Sequence, residues 1–157
     1  MIVNRTMLQI ARRNTLGFRA FSSLSDLGSV TRADIIGADT VWMGKLVKAV
    51  AESGNDQHAD AIDEYFRKNF RKLSVRQALD VLEPLGEEEV EAPSLDGKFW
   101  IWESLDEAIR GDIESLTDEE FDKAFAAFAV NMKGSNELLD MFESRIYRRE
   151  SDGLFKS

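Results

Sequence analysis

The sequence has no cysteine, two prolines and a single histidine, and it carries more acidic than basic residues. Without cysteine there is no disulfide bond, no thiol nucleophile and no cysteine-ligated metal. Since Pro84 and Pro93 are the only prolines, long helices meet few breakers. No run of about 18 apolar residues occurs, so we expect no transmembrane helix. The remaining composition, 43% hydrophobic and 31% charged over 157 residues, is typical of one soluble globular domain.

The motifs of common catalytic and ligand-binding sites are also missing. The ten glycines form neither a GxGxxG nor a GxxxxGK[ST] phosphate loop. No serine or cysteine nucleophile accompanies His58, and we predict a solvent-exposed side chain for it. Residues 117–128 are similar to an EF-hand helix, but residues 131–137 lack the oxygen-rich loop that Ca²⁺ requires. The sequence therefore predicts no catalytic residue, no metal site, no cofactor and no enzymatic activity.

Charge is distributed unevenly along the chain. Residues 1–25 contain four arginines and no acid, and the remaining residues carry 16 basic and 29 acidic side chains, a net charge of −13. A body this acidic repels phosphate backbones and lacks the counterion release that dominates nucleic-acid affinity. It favours solubility, or docking on a basic protein surface.

Residues 1–23 have the composition of a mitochondrial transit peptide, because they are rich in arginine, serine and threonine and contain no acid. Residues 19–22, Arg-Ala-Phe-Ser, are similar to the mitochondrial processing motif, with cleavage after Phe21. The alternatives are an ordinary basic amphipathic first helix or a helix that lies on a membrane surface. A leader that is retained and ordered against a partner would be an anchoring arm, and its arginines are then candidate interface residues: Arg5, Arg12, Arg13 and Arg19.

The body of the chain predicts a helical domain over residues 39–151, after a connector at 24–38 and before a tail at 152–157. Helices are expected from about Asp39 to Ser53, from His58 to Lys72, from Ser74 to Gly86, and briefly after Ser104. Ser74 with Gln77 and Ser104 with Glu107 each form a capping-box pattern. No sustained period-2 pattern appears, so sheet content should be low. Residues 98–102 are the one place for an extended segment.

The clearest element is a helical hairpin over residues 117–149. Thr117 and Glu120 form a capping box. Gly134 is expected to stop the first helix, and Ser135 to cap the second. The residues expected on the inner sides of the two helices are Phe121, Ala124, Phe125, Phe128, Met132, Leu138, Leu139, Phe142 and Ile146.

Two segments of the chain resemble each other, about 39–74 and 117–151, at an offset of 78 and then, after a one-residue slip, of 77. A third, irregular hairpin between them would give a unit of about 39 residues, within the range of helical-repeat arrays. Any two amphipathic helix pairs share part of this match, so a true repeat and two unrelated hairpins both stay open.

The segment LTDEEFDKAFAAFAVNMKGSNELLDMFESRIYRR resembles the helical hairpins of mitochondrial FAST-kinase-like (heptatricopeptide, or RAP-associated) proteins. The resemblance implies a fold of helical hairpins and a role in organelle RNA binding on a basic concave surface. This chain departs from the family in being acidic, and the match transfers no functional residue.

The run Phe99-Trp100-Ile101-Trp102 is the most hydrophobic short stretch of the chain. In an extended segment Trp100 and Trp102 would point to one side, with Phe99 and Ile101 on the other. One side can pack on the helices while the other anchors a protein partner, or both sides can be core. The candidate interface residues here are Phe99, Trp100 and Trp102.

Together these patterns predict an all-α protein of stacked antiparallel helical hairpins with little or no sheet. The expected function is that of a non-catalytic accessory or scaffolding subunit of a large mitochondrial complex, in the matrix or on the matrix side of the inner membrane. An inner-membrane energy-converting complex, ATP synthase or the respiratory chain, is the first choice; other subunits are the expected partners, and no small-molecule substrate is evident. The alternative is a mitochondrial RNA-binding or ribosome-associated protein. Its RNA contacts would be the basic helix ends: Arg67, Lys68, Arg71, Lys72, Arg148 and Arg149.

Overall fold

Seven α-helices make up the part of the chain that the computed structural model describes, residues 24–156, with side chains described for 27–152. They are α1 (Arg32–Ile36), α2 (Thr40–Ser53), α3 (Ala59–Lys68), α4 (Val75–Glu87), α5 (Trp100–Gly111), α6 (Asp118–Val130) and α7 (Asn136–Lys156). Three 3₁₀ segments join them: Leu24–Ser29, Pro93–Leu95 and Ile113–Ser115. No strand occurs within this range, which confirms the all-α prediction.

None of the helices in the described range combines the length and apolar character needed to span a bilayer. The arginines of the leader, Arg5, Arg12, Arg13 and Arg19, lie outside the described residues, as does the processing motif. At the other end of the chain, α7 runs on to Lys156, through the residues predicted as a tail.

Short polar side chains cap the helix starts where the sequence predicted them. Ser74 accepts a hydrogen bond from the backbone N–H of Gln77, and the Gln77 side chain accepts one from the Ser74 N–H. Thr117 and Glu120 form the same reciprocal pair at the start of α6. Ser135 accepts from the N–H of Leu138 at the start of α7. These contacts satisfy backbone donors that have no partner inside the helix.

The longer helices form two groups of parallel neighbours, α2, α4 and α6 in one and α3, α5 and α7 in the other. α4 packs between α2 and α6, and α5 packs between α3 and α7. The contacts show parallel neighbours, because Thr40 pairs with Asp80 and Lys48 with Glu88 between α2 and α4. Whether the three hairpins α2/α3, α4/α5 and α6/α7 are copies of one repeat stays a prediction.

Two glycines let α4 come close to both of its parallel neighbours. A Cβ added at Gly44 of α2 would lie 2.1 Å from the carbonyl oxygen of Asp80, and one at Gly86 of α4 would lie 1.8 Å from that of Lys123. The Asp80 carbonyl is exposed to this approach because Pro84, four residues on, has no N–H to donate to it. Gly86 was predicted as the end of its helix, but α4 includes it and ends at Glu87.

The core of the α6/α7 hairpin is a cluster of phenylalanines. The ring of Phe142 is centred 5.4 Å from Phe121, 5.2 Å from Phe125 and 6.0 Å from Phe128. Phe121, Phe128 and Phe142 are fully buried, and Phe125 is partly buried. The pairs with Phe121 and Phe125 are edge-to-face and the pair with Phe128 is tilted, and such contacts stabilise the cluster beyond the apolar area that the rings bury.

The predicted extended segment at residues 98–102 is wrong, because Trp100–Gly111 is helix α5. Asp63 of α3 accepts a hydrogen bond from the Ile101 N–H at 3.0 Å, so a carboxylate 38 residues away starts the helix. The capping box predicted at Ser104 and Glu107 is wrong for the same reason. Ser104 is buried inside α5 and donates its hydroxyl to the Phe66 carbonyl.

The prediction of a solvent-exposed His58 is also wrong. His58 is buried, and its Nε2–H donates to the carbonyl oxygen of Leu27 at 2.8 Å. This bond holds the N-terminal 3₁₀ segment, Leu24–Ser29, to the start of α3. The histidine therefore has a structural partner that lies 31 residues earlier in the chain.

Helix α6 ends before the predicted stop at Gly134. Asn131 is its C-cap, and Lys133 N–H donates back to the Phe128 carbonyl at 2.9 Å. This Schellman turn requires a left-handed residue, and Met132 takes it with a φ of 55°. The Met132 side chain is 90% exposed, so its predicted place in the inner stripe is wrong.

Candidate protein-interaction surfaces

Three aromatic side chains form one partly exposed cluster where α3 meets α5, which we name the aromatic surface: Phe70, Phe99 and Trp100. Trp100 makes edge-to-face contacts with Phe99 at 4.9 Å and with Phe70 at 5.4 Å between ring centres. Phe99 is 57% exposed, and the other two rings are partly buried. The cluster therefore exposes the Phe99 ring to solvent, and contacts with Trp100 hold the rings together.

The start of α5 decides which residues of the aromatic run face outward. Phe99 precedes the first turn, whereas Ile101 and Trp102 enter the core. The indole N–H of Trp102 donates to the Leu95 carbonyl at 3.0 Å, which satisfies its polar atom inside the protein. Of the three aromatic candidates predicted from sequence, Phe99 and Trp100 contribute to the surface, and Trp102 is core.

Arg71 extends the aromatic surface on the α3 side. Its guanidinium lies 5.0 Å from the centre of the Phe70 ring, within cation–π distance. The same guanidinium pairs with Glu107 of α5 at 3.1 Å. Arg71 has a φ of 66°, a left-handed conformation that favours glycine. The helical spacing of α3 predicts an inward-facing Phe70, and no local pattern indicates its contact with Arg71.

A shallow groove of about 630 Å³ lies beside Arg71, between the start of α4 and the last turns of α5. Its floor is apolar, with Leu73, Val75 and Ala108. Arg76 on its rim already pairs with Glu120, and its guanidinium also donates to the Ser115 carbonyl. Because these cations have carboxylate partners within the protein, the groove has no unpaired guanidinium to hold an anion.

Glu120 is the most strongly perturbed carboxylate of this region. Hydrogen bonds from Arg76 and from the Thr117 backbone lower its pKa from 4.5 to about 2. It is at once the N3 residue of the α6 capping box and the partner of α4 through Arg76. The perturbation has a structural explanation, so it does not indicate catalysis here.

A buried carboxylate that the sequence did not point to joins α5 to α7. Asp106 accepts hydrogen bonds from the backbone N–H and the hydroxyl of Ser135, at 2.6 and 3.1 Å. It also accepts one from Arg110, one turn along α5, and this bond raises the pKa of Arg110. The spacing of Asp106 and Arg110 by four residues was the only signal available.

The basic helix ends that the RNA-binding alternative needs are largely engaged with acids. Arg67 pairs with Glu64, Arg148 with Glu114 at 2.7 Å, and Arg149 with Asp122 at 2.8 Å. Arg71 pairs with Glu107, as described above. Within residues 24–156, no group of three or more acidic or histidine side chains is placed to hold a metal ion.

No family model, curated protein or solved structure matches this chain. The resemblance to the FAST-kinase-like hairpins therefore stays a prediction.

Proposed function

We propose that this chain is a non-catalytic adaptor, an accessory subunit that binds another protein through the aromatic surface. The observation that carries the proposal is the exposure of Phe99, at 57%, within a cluster of three rings. Aromatic residues are enriched where protein interfaces are strongest. An exposed aromatic cluster is costly in water unless a partner covers it.

The aromatic surface is also preorganised for binding. Phe99 is held by its edge-to-face contact with Trp100, and Trp100 is fixed at the first residue of α5. The helix start is tied to α3 by the hydrogen bond between Ile101 and Asp63 and by the ion pair between Lys98 and Asp60. A rigid anchor loses little conformational entropy on binding, which favours affinity.

The assembly in this proposal is mitochondrial. The support is the composition of residues 1–23, which is that of a transit peptide. The first choice of partner is an inner-membrane energy-converting complex, ATP synthase or the respiratory chain. RNA binding is the less favoured function, because the ion pairs of Arg67, Arg148 and Arg149 would compete with phosphate contacts.

The test is native co-purification of the tagged full chain from gently solubilised mitochondria, with mass spectrometry of the large complexes. We expect the protein to co-migrate with an inner-membrane complex. Phe99→Ala should reduce its recovery there about tenfold, the effect of losing one central anchor. Tyr147→Ala is the matched control, because Tyr147 is an exposed aromatic residue outside the cluster.

Two results would contradict the proposal. One is a wild-type protein that runs free of every large complex. The other is a Phe99→Ala variant that folds normally by circular dichroism and is recovered in the complex as well as the Tyr147→Ala control. Co-migration with ribosomal subunits would favour the alternative function.

A further inference from the structure

A second partly exposed apolar face lies on α6, on the side away from α4. Glu120 and Lys123 are the residues of α6 that contact α4 by ion pairs. At 100° per residue, Phe125 and Ala129 lie on the opposite side of the helix. Ala129 is exposed, whereas the Phe125 ring packs on Phe142 of α7 and is only partly covered. Among the described residues, the open part of this side is therefore Ala129 and the uncovered part of Phe125.

Helix α7 presents a matching open side. Glu137 points to α5, where it pairs with Arg110 at 3.2 Å. Leu139 and Ile146 lie on the opposite side by the same helical geometry. Leu139 is 38% exposed and Ile146 partly buried. We name the combined face the open edge: Phe125, Ala129, Leu139 and Ile146.

At the opposite end of the helix layers, short segments of the described chain cover α2 and α3. There the 3₁₀ segment packs on α2 and helix α1 packs on α3. Leu27 of the 3₁₀ segment, Val30 in the link that follows and Ile35 of α1 are buried, and Ile36 is partly buried. Arrays of helical hairpins need polar or covered terminal faces to stay soluble, so the asymmetry between the two ends requires an explanation.

The composition of α6 is that of a helix covered on more than one side. From Phe121 to Val130, every residue except Asp122 and Lys123 is apolar. A helix that is apolar nearly all round is normally buried. Beside the open edge, Met132 keeps an exposed apolar side chain in a left-handed turn that glycine would adopt without strain. The packing of α6 on α4 and α7 accounts for its phenylalanines, but it leaves Ala129 and Met132 exposed.

The charge around the open edge selects the partner. On α7 the exposed acids Asp140, Glu143 and Glu150 have no ion pair with any described residue. The chain as a whole carries a net charge of −9. A partner that covers the open edge would place its own polar side chains next to these carboxylates. Cationic side chains would be favoured at those positions.

We propose that the open edge binds an amphipathic α-helix of another protein, lying parallel to α6, with leucine-sized residues on one face and lysines or arginines beside them. The parallel direction follows from the packing of α2, α4 and α6, which this helix would continue. The proposal names a second contact of the adaptor and is separate from the aromatic surface, so either proposal can fail alone.

The test measures binding of a fluorescein-labelled peptide of about 16 residues, with leucines at helical spacing on one face and lysines elsewhere. Fluorescence anisotropy with the purified full chain should show saturable binding that weakens in about 0.5 M salt. Leu139→Ser should weaken binding at least about fivefold, as expected for an interface anchor. Val41→Ser is the matched control at an exposed apolar residue of α2 and should leave binding unchanged.

A second peptide, with the same leucine face and glutamates in place of the lysines, distinguishes charge-selective binding from non-specific hydrophobic binding. It should bind at least about tenfold more weakly than the lysine peptide. Equal binding of the two peptides, equal losses in the Leu139→Ser and Val41→Ser variants, or no binding at all would overturn the proposal. So would a concentration-dependent dimer of the protein that Leu139→Ser abolishes, because the occupant would then be a second copy.

Discussion

Gly86 sets how closely α4 and α6 approach, and Gly86→Ala tests this directly. The added Cβ would lie 1.8 Å from the carbonyl oxygen of Lys123 and 2.6 Å from its carbonyl carbon. Relaxed contacts between such atoms are about 3.5 Å, so the two helices must shift apart by more than about 1 Å. The obstacle is backbone, and no change of rotamer can relieve it.

The expected loss of stability is the difference between two opposing effects. Overpacking of a close contact costs about 1–3 kcal/mol, and a backbone obstacle favours the upper end of that range. The higher helix propensity of alanine offsets this loss by about 1 kcal/mol. We therefore expect Gly86→Ala to lower the free energy of unfolding by about 2 kcal/mol. For a chain of this length the melting temperature would fall by about 4–8 °C.

Urea unfolding followed by far-ultraviolet circular dichroism measures the effect. Gly111→Ala is the matched control, because Gly111 is in α5 and has nothing within 4 Å of an added Cβ. That substitution should raise the free energy of unfolding by about 0.4–1 kcal/mol, since only the propensity term and the unfolded chain change. If Gly86→Ala is as stable as Gly111→Ala, the close approach of α4 and α6 is not a determinant of this fold.

Three further substitutions have distinct expected outcomes in the same unfolding assay. Asp106→Ala should cost about 2–3 kcal/mol, because the Ser135 N–H loses its acceptor and Arg110 keeps only its exposed pair with Glu137. Asp96→Ala at an exposed pair should cost under about 0.5 kcal/mol, and similar losses in the two variants would contradict the role of Asp106. Met132→Gly should stabilise by about 0.5–1 kcal/mol by relieving a left-handed backbone, and a loss would be inconsistent with strain there. Glu120 has a folded pKa of about 2, below its ordinary 4.5, so its contribution is present above about pH 4.5 and lost as the pH falls towards 2. Glu120→Gln keeps the capping box, so the variant should lose stability near neutral pH and differ little from the wild type near pH 2; a constant difference would refute this assignment.

Local signals located most helices because their causes lie within a few residues. At Ser74 and Thr117 the capping side chain and its backbone donor are three residues apart, so the pattern contains the whole interaction. Gly54 likewise ends α2 in the left-handed conformation, at a φ of 70°. At Gly86 glycine is required for a different reason, because a neighbouring helix approaches its backbone. No local sequence pattern indicates that approach.

The errors share a dependence on partners that are far away in sequence. Ser104 and Glu107 carry the letters of a capping box, but Asp63 caps α5 earlier, at Ile101. His58 is buried because the Leu27 carbonyl accepts its ring N–H. In each case a single hydrogen bond across more than 30 residues overrides a local preference, because a buried polar group left without a partner costs about 1–3 kcal/mol.

The same long-range dependence decides which residues are available for binding. Aromatic density indicated the region around Trp100, but the direction of each ring depends on where α5 begins. A helix turns by 100° per residue, so the start at Trp100 directs Trp102 to the Leu95 carbonyl and leaves Phe99 outside. Phe70 joins the surface from the turn after α3, 29 residues before Phe99, and no pattern within the aromatic run could include it. The interaction surface is therefore a property of how α3 and α5 pack, and the substitution of Phe99 tests that packing and the proposed function together.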